Sequence, residues 1–278
     1  VCFIPHPLYY RAKQAVFKGE FLLLGKVTIL LYSNCMRLRV SGKTDIGQKR
    51  KINQDSILMD TKSKLFVVAD GMGGHKGGEV ASKLACATLQ AVVQTELAEG
   101  MRSPIELLKR GFVEATRAVH LEANKPGGED LHGMGTTMVA MFIYEKVAYI
   151  ANVGDSRAYV HMHDHMWRIT EDHSWVNEQL RSGVITEADL DTVSGKNVIT
   201  RSVGFAPEVN VDVFYRELSV GEKYLLCSDG LHGLVTDEWV EARITNGPLE
   251  NFVEACVLEA NNNGGDDNVT CLFVEVDG

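Results

Sequence analysis

The run Lys64-Leu65-Phe66-Val67-Val68-Ala69-Asp70-Gly71-Met72-Gly73-Gly74-His75-Lys76-Gly77-Gly78 sets five unbroken apolar residues against one acid and a loop of glycines. Five apolar residues between Lys64 and Asp70 are too few for a helix and read as a buried strand over 64–70. Residues 71–78 then form a glycine-rich loop that lets the backbone approach another group closely. Working outward, residues 79–97 place Val80, Leu84, Leu89, Val92 and Val93 at helical spacing. The pattern repeats over 104–123 behind the cap residue Ser103. Upstream, 36–45 alternates polar and apolar residues as a half-buried strand does, and 57–60 is a further short strand.

A second strand-rich block follows at 136–144, 146–152, 157–162 and 166–169, with turn residues between. The short links imply antiparallel pairing. Residues 174–182 read as helical and open an exposed lobe that reaches about 201. Strands are expected again at 209–214 and 223–227, helices at 237–244 and 249–260, and a closing strand at 268–276. Strands, helices, strands, helices in that order predict an α+β fold: a four-layer α-β-β-α sandwich of two antiparallel sheets flanked by helices.

The acids fall where such strands end. Asp70 closes one apolar run, Asp229 follows Tyr224-Leu225-Leu226-Cys227-Ser228, Asp267 precedes Asn268-Val269-Thr270-Cys271-Leu272-Phe273, and Asp155 follows residues 147–153 across Gly154. Acids at strand ends can meet at one mouth of a sandwich, where they repel one another unless a divalent ion compensates. Hard oxygen ligands favour Mg²⁺ or Mn²⁺. Spacing alone leaves open a set of unrelated turn aspartates.

Composition narrows the classes. The 278 residues carry a formal net charge of −9, which leaves no basic surplus for nucleic acid. Six cysteines occur with no CxxC pair, so no zinc ribbon or redox dithiol is indicated, and a reducing cytoplasmic setting is expected. The apolar run 21–32 is interrupted by Lys26 and is too short to span a bilayer. Residues 1–35 are expected to be an extension, with one domain over 36–278 and a flap lobe near 170–201. His161-Met162-His163-Asp164-His165 is one residue short of a metallo-hydrolase histidine cluster and reads as a hairpin tip.

Gly47-Gln48-Lys49-Arg50-Lys51-Ile52-Asn53-Gln54-Asp55, Asp70-Gly71-Met72-Gly73-Gly74-His75, Gly135-Thr136-Thr137, Val153-Gly154-Asp155-Ser156-Arg157, Ser228-Asp229-Gly230 and Asp266-Asp267-Asn268 together resemble the ordered motifs of the metal-dependent protein phosphatases of type 2C. The glycine loop and the stretch from Thr170 resemble their bacterial branch. The resemblance implies hydrolysis of phosphoserine and phosphothreonine on proteins, in opposition to Ser/Thr kinases, by a monomer. It implies two Mg²⁺ or Mn²⁺ ions bridged by Asp70 and a water. Asp229 and Asp267 complete one ion, Asp55 and the Gly71 carbonyl the other, and Asp155 serves a third, weaker one. Arg50 matches the guanidinium that grips phosphate. In such a site a water readied between two ions attacks phosphorus in line.

Two positions depart from the pattern. Met72 stands where some relatives have a histidine that protonates the leaving alcohol, and that role does not pass to His75, which is expected to order the loop. Gln54 stands where some have a glutamate. A silent phosphoprotein-binding relative and a cation-binding protein without turnover are the competing readings.

Overall fold

The long apolar runs alternate between two destinations, and that alternation builds the molecule. The structure is a computed structural model that describes residues 29–33, 36–73, 77–190, 193, 195, 198–244 and 247–278, with backbone alone at 29–33 and 36. Residues 1–28, Cys35 and the loop residues Gly74, His75 and Lys76 lie outside the described set, so neither most of the expected extension nor the expected ordering role of His75 is met here.

Strands β1 (Ile29–Ser33), β2 (Met36–Asp45), β3 (Asp55–Asp60) and β4 (Leu65–Met72) precede helices α1 (Gly77–Glu99) and α2 (Pro104–Ala123). Then come β5 (Gly135–Thr136), β6 (Met138–Tyr144), β7 (Val147–Val153), β8 (Arg157–Met162), β9 (His165–Arg168) and helix α3 (Trp175–Arg181). Strands β10 (Asp212–Glu217) and β11 (Lys223–Cys227) lead to α4 (Asp229–His232), α5 (Asp237–Glu241), α6 (Leu249–Asn262) and β12 (Val269–Asp277). One sheet runs β1-β2-β12-β11-β8-β9 and the other β10-β7-β6-β4-β3, with β5 beside β4. All pairings are antiparallel.

Successive residues of a strand face opposite sides. On β4, Leu65, Val67 and Ala69 face α1 and α2, joining Leu89, Phe112 and Val119. Phe66 and Val68 face the other way and meet Tyr224, Leu226, Leu272 and Val274 between the sheets. On β12, Leu272 and Val274 share that inner layer, whereas Cys271 and Phe273 pack outward on α6 with Val253 and Cys256. Strands buried on both faces have no polar alternation, which explains the continuous hydrophobic runs. The four-layer sandwich expected from the sequence is the observed architecture.

Several boundaries differ. Strand β4 continues through Gly71 and Met72 because they pair with Thr136 and Gly135. Strand β10 covers Asp212–Glu217 rather than 209–214, its register fixed by β7, where Asp212 faces Asn152 and Glu217 faces Val147. The turn after β11 is a one-turn helix, α4, and α5 ends at Glu241. Strand β1 lies upstream of the expected boundary at Met36 and pairs along β2 from Ser33↔Met36 to Ile29↔Val40. The histidine-rich stretch is a hairpin tip, with His163 and Asp164 at φ 50° and 63° between β8 and β9. Cys86, Cys227, Cys256 and Cys271 are buried and free.

Candidate metal centre

Asp55 opens β3 and sits directly opposite Asp70 on β4. Two like charges facing each other across a ladder are destabilising unless something offsets them. Both strands belong to one sheet. Asp229 and Asp267 arrive from the other, Asp229 as the first residue of α4 after β11 and Asp267 two residues before β12. Asp155 stands between β7 of one sheet and β8 of the other.

These acids are held in place by neighbours that use only part of their capacity. Asp55 Oδ2 accepts from the Ser228 hydroxyl at 2.8 Å and the Thr270 hydroxyl at 2.6 Å. Its Oδ1 is buried with no partner, and so are Oδ1 of Asp155 and Oδ1 of Asp229. Three buried carboxylate oxygens without donors are costly in an isolated fold. Burial raises Asp55 to about 7, against the pull of the two hydroxyls and with the charges of Asp229 and Asp267 adding to it. Burial, then the charge of Asp229, raises Asp155 to about 7 as well. Burial and the charges of Asp55 and Asp229 push Asp70 well above the ordinary carboxylate range. Asp229 is raised chiefly by burial, and a hydrogen bond shared with Asp70 works against the rise. Among the described residues no three acidic, histidine or cysteine side chains form a ready-made ion cage. What exists is a ring of mutually repelling acids with unmet oxygens, a donor set that suits a hard divalent cation.

The backbone around the ring leaves no room for side chains. A Cβ on Gly71 would stand 1.9 Å from the Gly78 carbonyl oxygen and 2.6 Å from that of Gln54. The Gly71 N–H donates to that Gln54 oxygen at 3.1 Å. Gly154 adopts φ +106°, and a Cβ there would lie 2.6 Å from Thr137.

Arg50 lies in the loop between β2 and β3, and its Nη2 donates to Asp267 Oδ2 at 2.6 Å. Its guanidinium therefore reaches the ring, half-exposed and already engaged with one of the acids. Met72 follows at the end of β4 and lines, with Arg201, Phe205 and Val209, a cavity of about 360 Å³. A thioether there has no proton to give. Thus the structure brings Asp55, Asp70, Asp155, Asp229, Asp267, Gly71 and Arg50 to one end of the sandwich.

Four supporting residues had no assigned role in the sequence reading. Ser228 and Thr270 hold Asp55 from the opposite sheet. Thr270 is a lone hydroxyl within an apolar strand, a signal that becomes readable once Asp55 is known to face it. Asn268 accepts from the Gln54 N–H at 2.8 Å and donates to the Ile46 and Ile52 carbonyls at 3.0 Å each, stapling the Arg50 loop. Thr137 accepts from the Asp70 N–H at 3.1 Å through its hydroxyl, and its own N–H donates to the Asp70 carbonyl at 2.8 Å.

A family model described as Protein phosphatase 2C matches residues 44–267. Serine/threonine phosphatase stp of Listeria innocua is 38% identical over 238 residues, covering 84% of this chain and 94% of that protein. Protein phosphatase PhpP of Streptococcus pneumoniae is 32% identical over 245 residues, covering 86% of this chain and 98% of that protein. The crystal structure of the Mycobacterium tuberculosis serine/threonine phosphatase PstP/Ppp matches with a TM-score of 0.79 at 30% identity, over 87% of this chain and 99% of that one. The catalytic domain of PstP in complex with two manganese ions matches with a TM-score of 0.76 at 30% identity, over 87% and 99% of the two chains.

Proposed function

Since this chain belongs to the protein phosphatase 2C family and is a protein serine/threonine phosphatase, we propose that it works through divalent cations held by the ring of aspartates and opposes Ser/Thr kinases. Asp70 is assigned to two Mg²⁺ or Mn²⁺ ions in common, Asp229 and Asp267 to one, Asp55 and the Gly71 carbonyl to the other, and Asp155 to a third, weaker ion. The observation that carries this reading is the set of three buried, partnerless oxygens on Asp55, Asp155 and Asp229. A related structure with two manganese ions adds support.

When bound, the ions supply the Lewis acidity that readies a water for in-line attack on phosphorus and offsets charge on the phosphoryl oxygens. The chain's own residues do the rest. Arg50 leaves Asp267 to present its fork to the incoming phosphate, which it can bind through two parallel donors. The acids, held by Ser228, Thr270, Thr137 and Asn268, need no rearrangement as the substrate arrives, so the field at phosphorus is preorganised. Met72 donates nothing, and the departing serine or threonine oxygen takes its proton from water.

The catalytic domain is assigned to 36–278, with β1 adding a strand along its edge and residues 170–201 as the lobe that meets the protein substrate. No helix among the described residues is long and apolar enough to cross a membrane, and we assign action to the cytoplasm as a monomer. The deciding measurement is hydrolysis of p-nitrophenyl phosphate and of a phosphothreonine peptide by chelator-stripped protein, with Mn²⁺ restored. Turnover that survives stripping unchanged ends the proposal.

A further inference from the structure

Gly154 and Asp155 are gripped by imidazoles from two elements. The Gly154 N–H donates to His173 Nδ1 at 3.1 Å, and the backbone N–H of His173 donates back to the Gly154 carbonyl at 2.9 Å. On the next carbonyl, His232 Nε2 lies 3.0 Å from the Asp155 oxygen. A carbonyl only accepts, so His232 carries its proton on Nε2. His173 must hold its Nδ1 lone pair for Gly154, so its proton is also on Nε2, where Asp212 Oδ2 receives it at 3.1 Å.

Each histidine is anchored to a different part of the molecule. The His173 carbonyl accepts from the Thr200 N–H at 2.8 Å, and Ser174 bridges to Ile199, which ties both ends of the 170–201 lobe together. His232 closes the one-turn helix that Asp229 opens. We infer that His173 and His232 are positioning residues that together set the place of Asp155, coupling that acid to the lobe on one side and to the Asp229 helix on the other.

Two features favour this over plain packing. Each contact is made by a single ring nitrogen at hydrogen-bond distance, which an apolar side chain of similar bulk cannot replace. The object they hold is a buried acid whose Oδ1 has no partner and whose neighbour Gly154 fits only without a side chain.

The inference rests on the assignment of Asp155 as an ion ligand, so the test includes Asp155→Ala. Chelator-stripped full-length protein is titrated with Mn²⁺ while free Mn²⁺ is followed by electron paramagnetic resonance. Asp155→Ala is expected to remove the weaker class of sites. His232→Leu should weaken that class by about 10- to 100-fold, the usual effect of losing a group that orients a ligand, and leave the tighter sites unchanged. His232→Gln keeps an N–H near Nε2 and should recover affinity to within about threefold. His173→Leu and His173→Asn repeat the comparison through the Gly154 N–H and decide the matter if His232→Leu does not fold. If Asp155→Ala changes no class of site, the ligand assignment falls and the inference with it. If Asp155→Ala removes the class but both leucine variants leave it intact, or weaken all sites together without rescue by Gln or Asn, the inference alone is overturned.

Discussion

Replacing Asp55 by Asn should make the metal-free protein more stable and the metal-loaded protein less so. The folded-state value of Asp55 is about 7, raised from 3.8 by burial. A carboxyl that holds its proton more tightly when folded contributes stability that is whole below about pH 4 and is lost as pH rises through 7. Moving one group across that interval corresponds to about 4 kcal/mol, an upper figure because Asp70 and Asp229 share the proton balance. Asparagine avoids the ionisation, and its oxygen can replace Oδ2 as acceptor for Ser228 and Thr270, so packing changes little. In chelator at pH 8, urea unfolding of Asp55→Asn should give a gain of roughly 2 to 4 kcal/mol over wild type, shrinking toward zero near pH 4. With Mn²⁺ at about ten thousand times its dissociation constant, wild type gains about 5.4 kcal/mol per site occupied, more than the variant's lead, and the order reverses. A variant no more stable than wild type at pH 8 in chelator would refute the claim that ionised Asp55 is a burden the fold carries for its site.

Asp229→Asn subtracts a proposed ligand and should lower kcat on p-nitrophenyl phosphate by on the order of a hundredfold or more, several kcal/mol of transition-state stabilisation; wild-type turnover would show the assignment to be mistaken. Arg50→Ala should raise KM for a phosphopeptide with a smaller loss in kcat, and Arg50→Lys should not restore it because an ammonium lacks the planar fork. An unchanged KM for either variant excludes the clamp role. Gly71→Ala forces a Cβ to within 1.9 Å of the Gly78 carbonyl, and a loss of about 3 kcal/mol or more in chemical denaturation is expected; a variant within about 0.5 kcal/mol of wild type would mean that the loop yields freely.

The layered fold was legible in the sequence because strands buried on both faces leave unbroken apolar runs, and 65–69 and 271–274 carry that mark plainly. Asp70, Asp155, Asp229 and Asp267 stand out for the same reason, since each lies beside such a run, whereas Asp55 is named only through the family resemblance. Strand β10 was misplaced because Val209 and Val211 look strand-like on their own, while register on β7 selects Asp212–Glu217. Helix α4 escaped notice because one turn, Asp229–His232, is too short for a periodicity to develop. The supporting shell was hidden for a further reason. Thr270 reaches Asp55 across 215 positions of chain, and His232 reaches Asp155 across 77. No local pattern records such pairings, which come into being only when the sheets face each other.

Because Asp55 and Asp70 belong to one sheet while Asp229 and Asp267 come from the other, an ion seated among them would act as a rivet through the sandwich. Cation supply would then govern how long the two halves stay clamped, and resistance to proteolysis would track the same chelator dose that silences turnover.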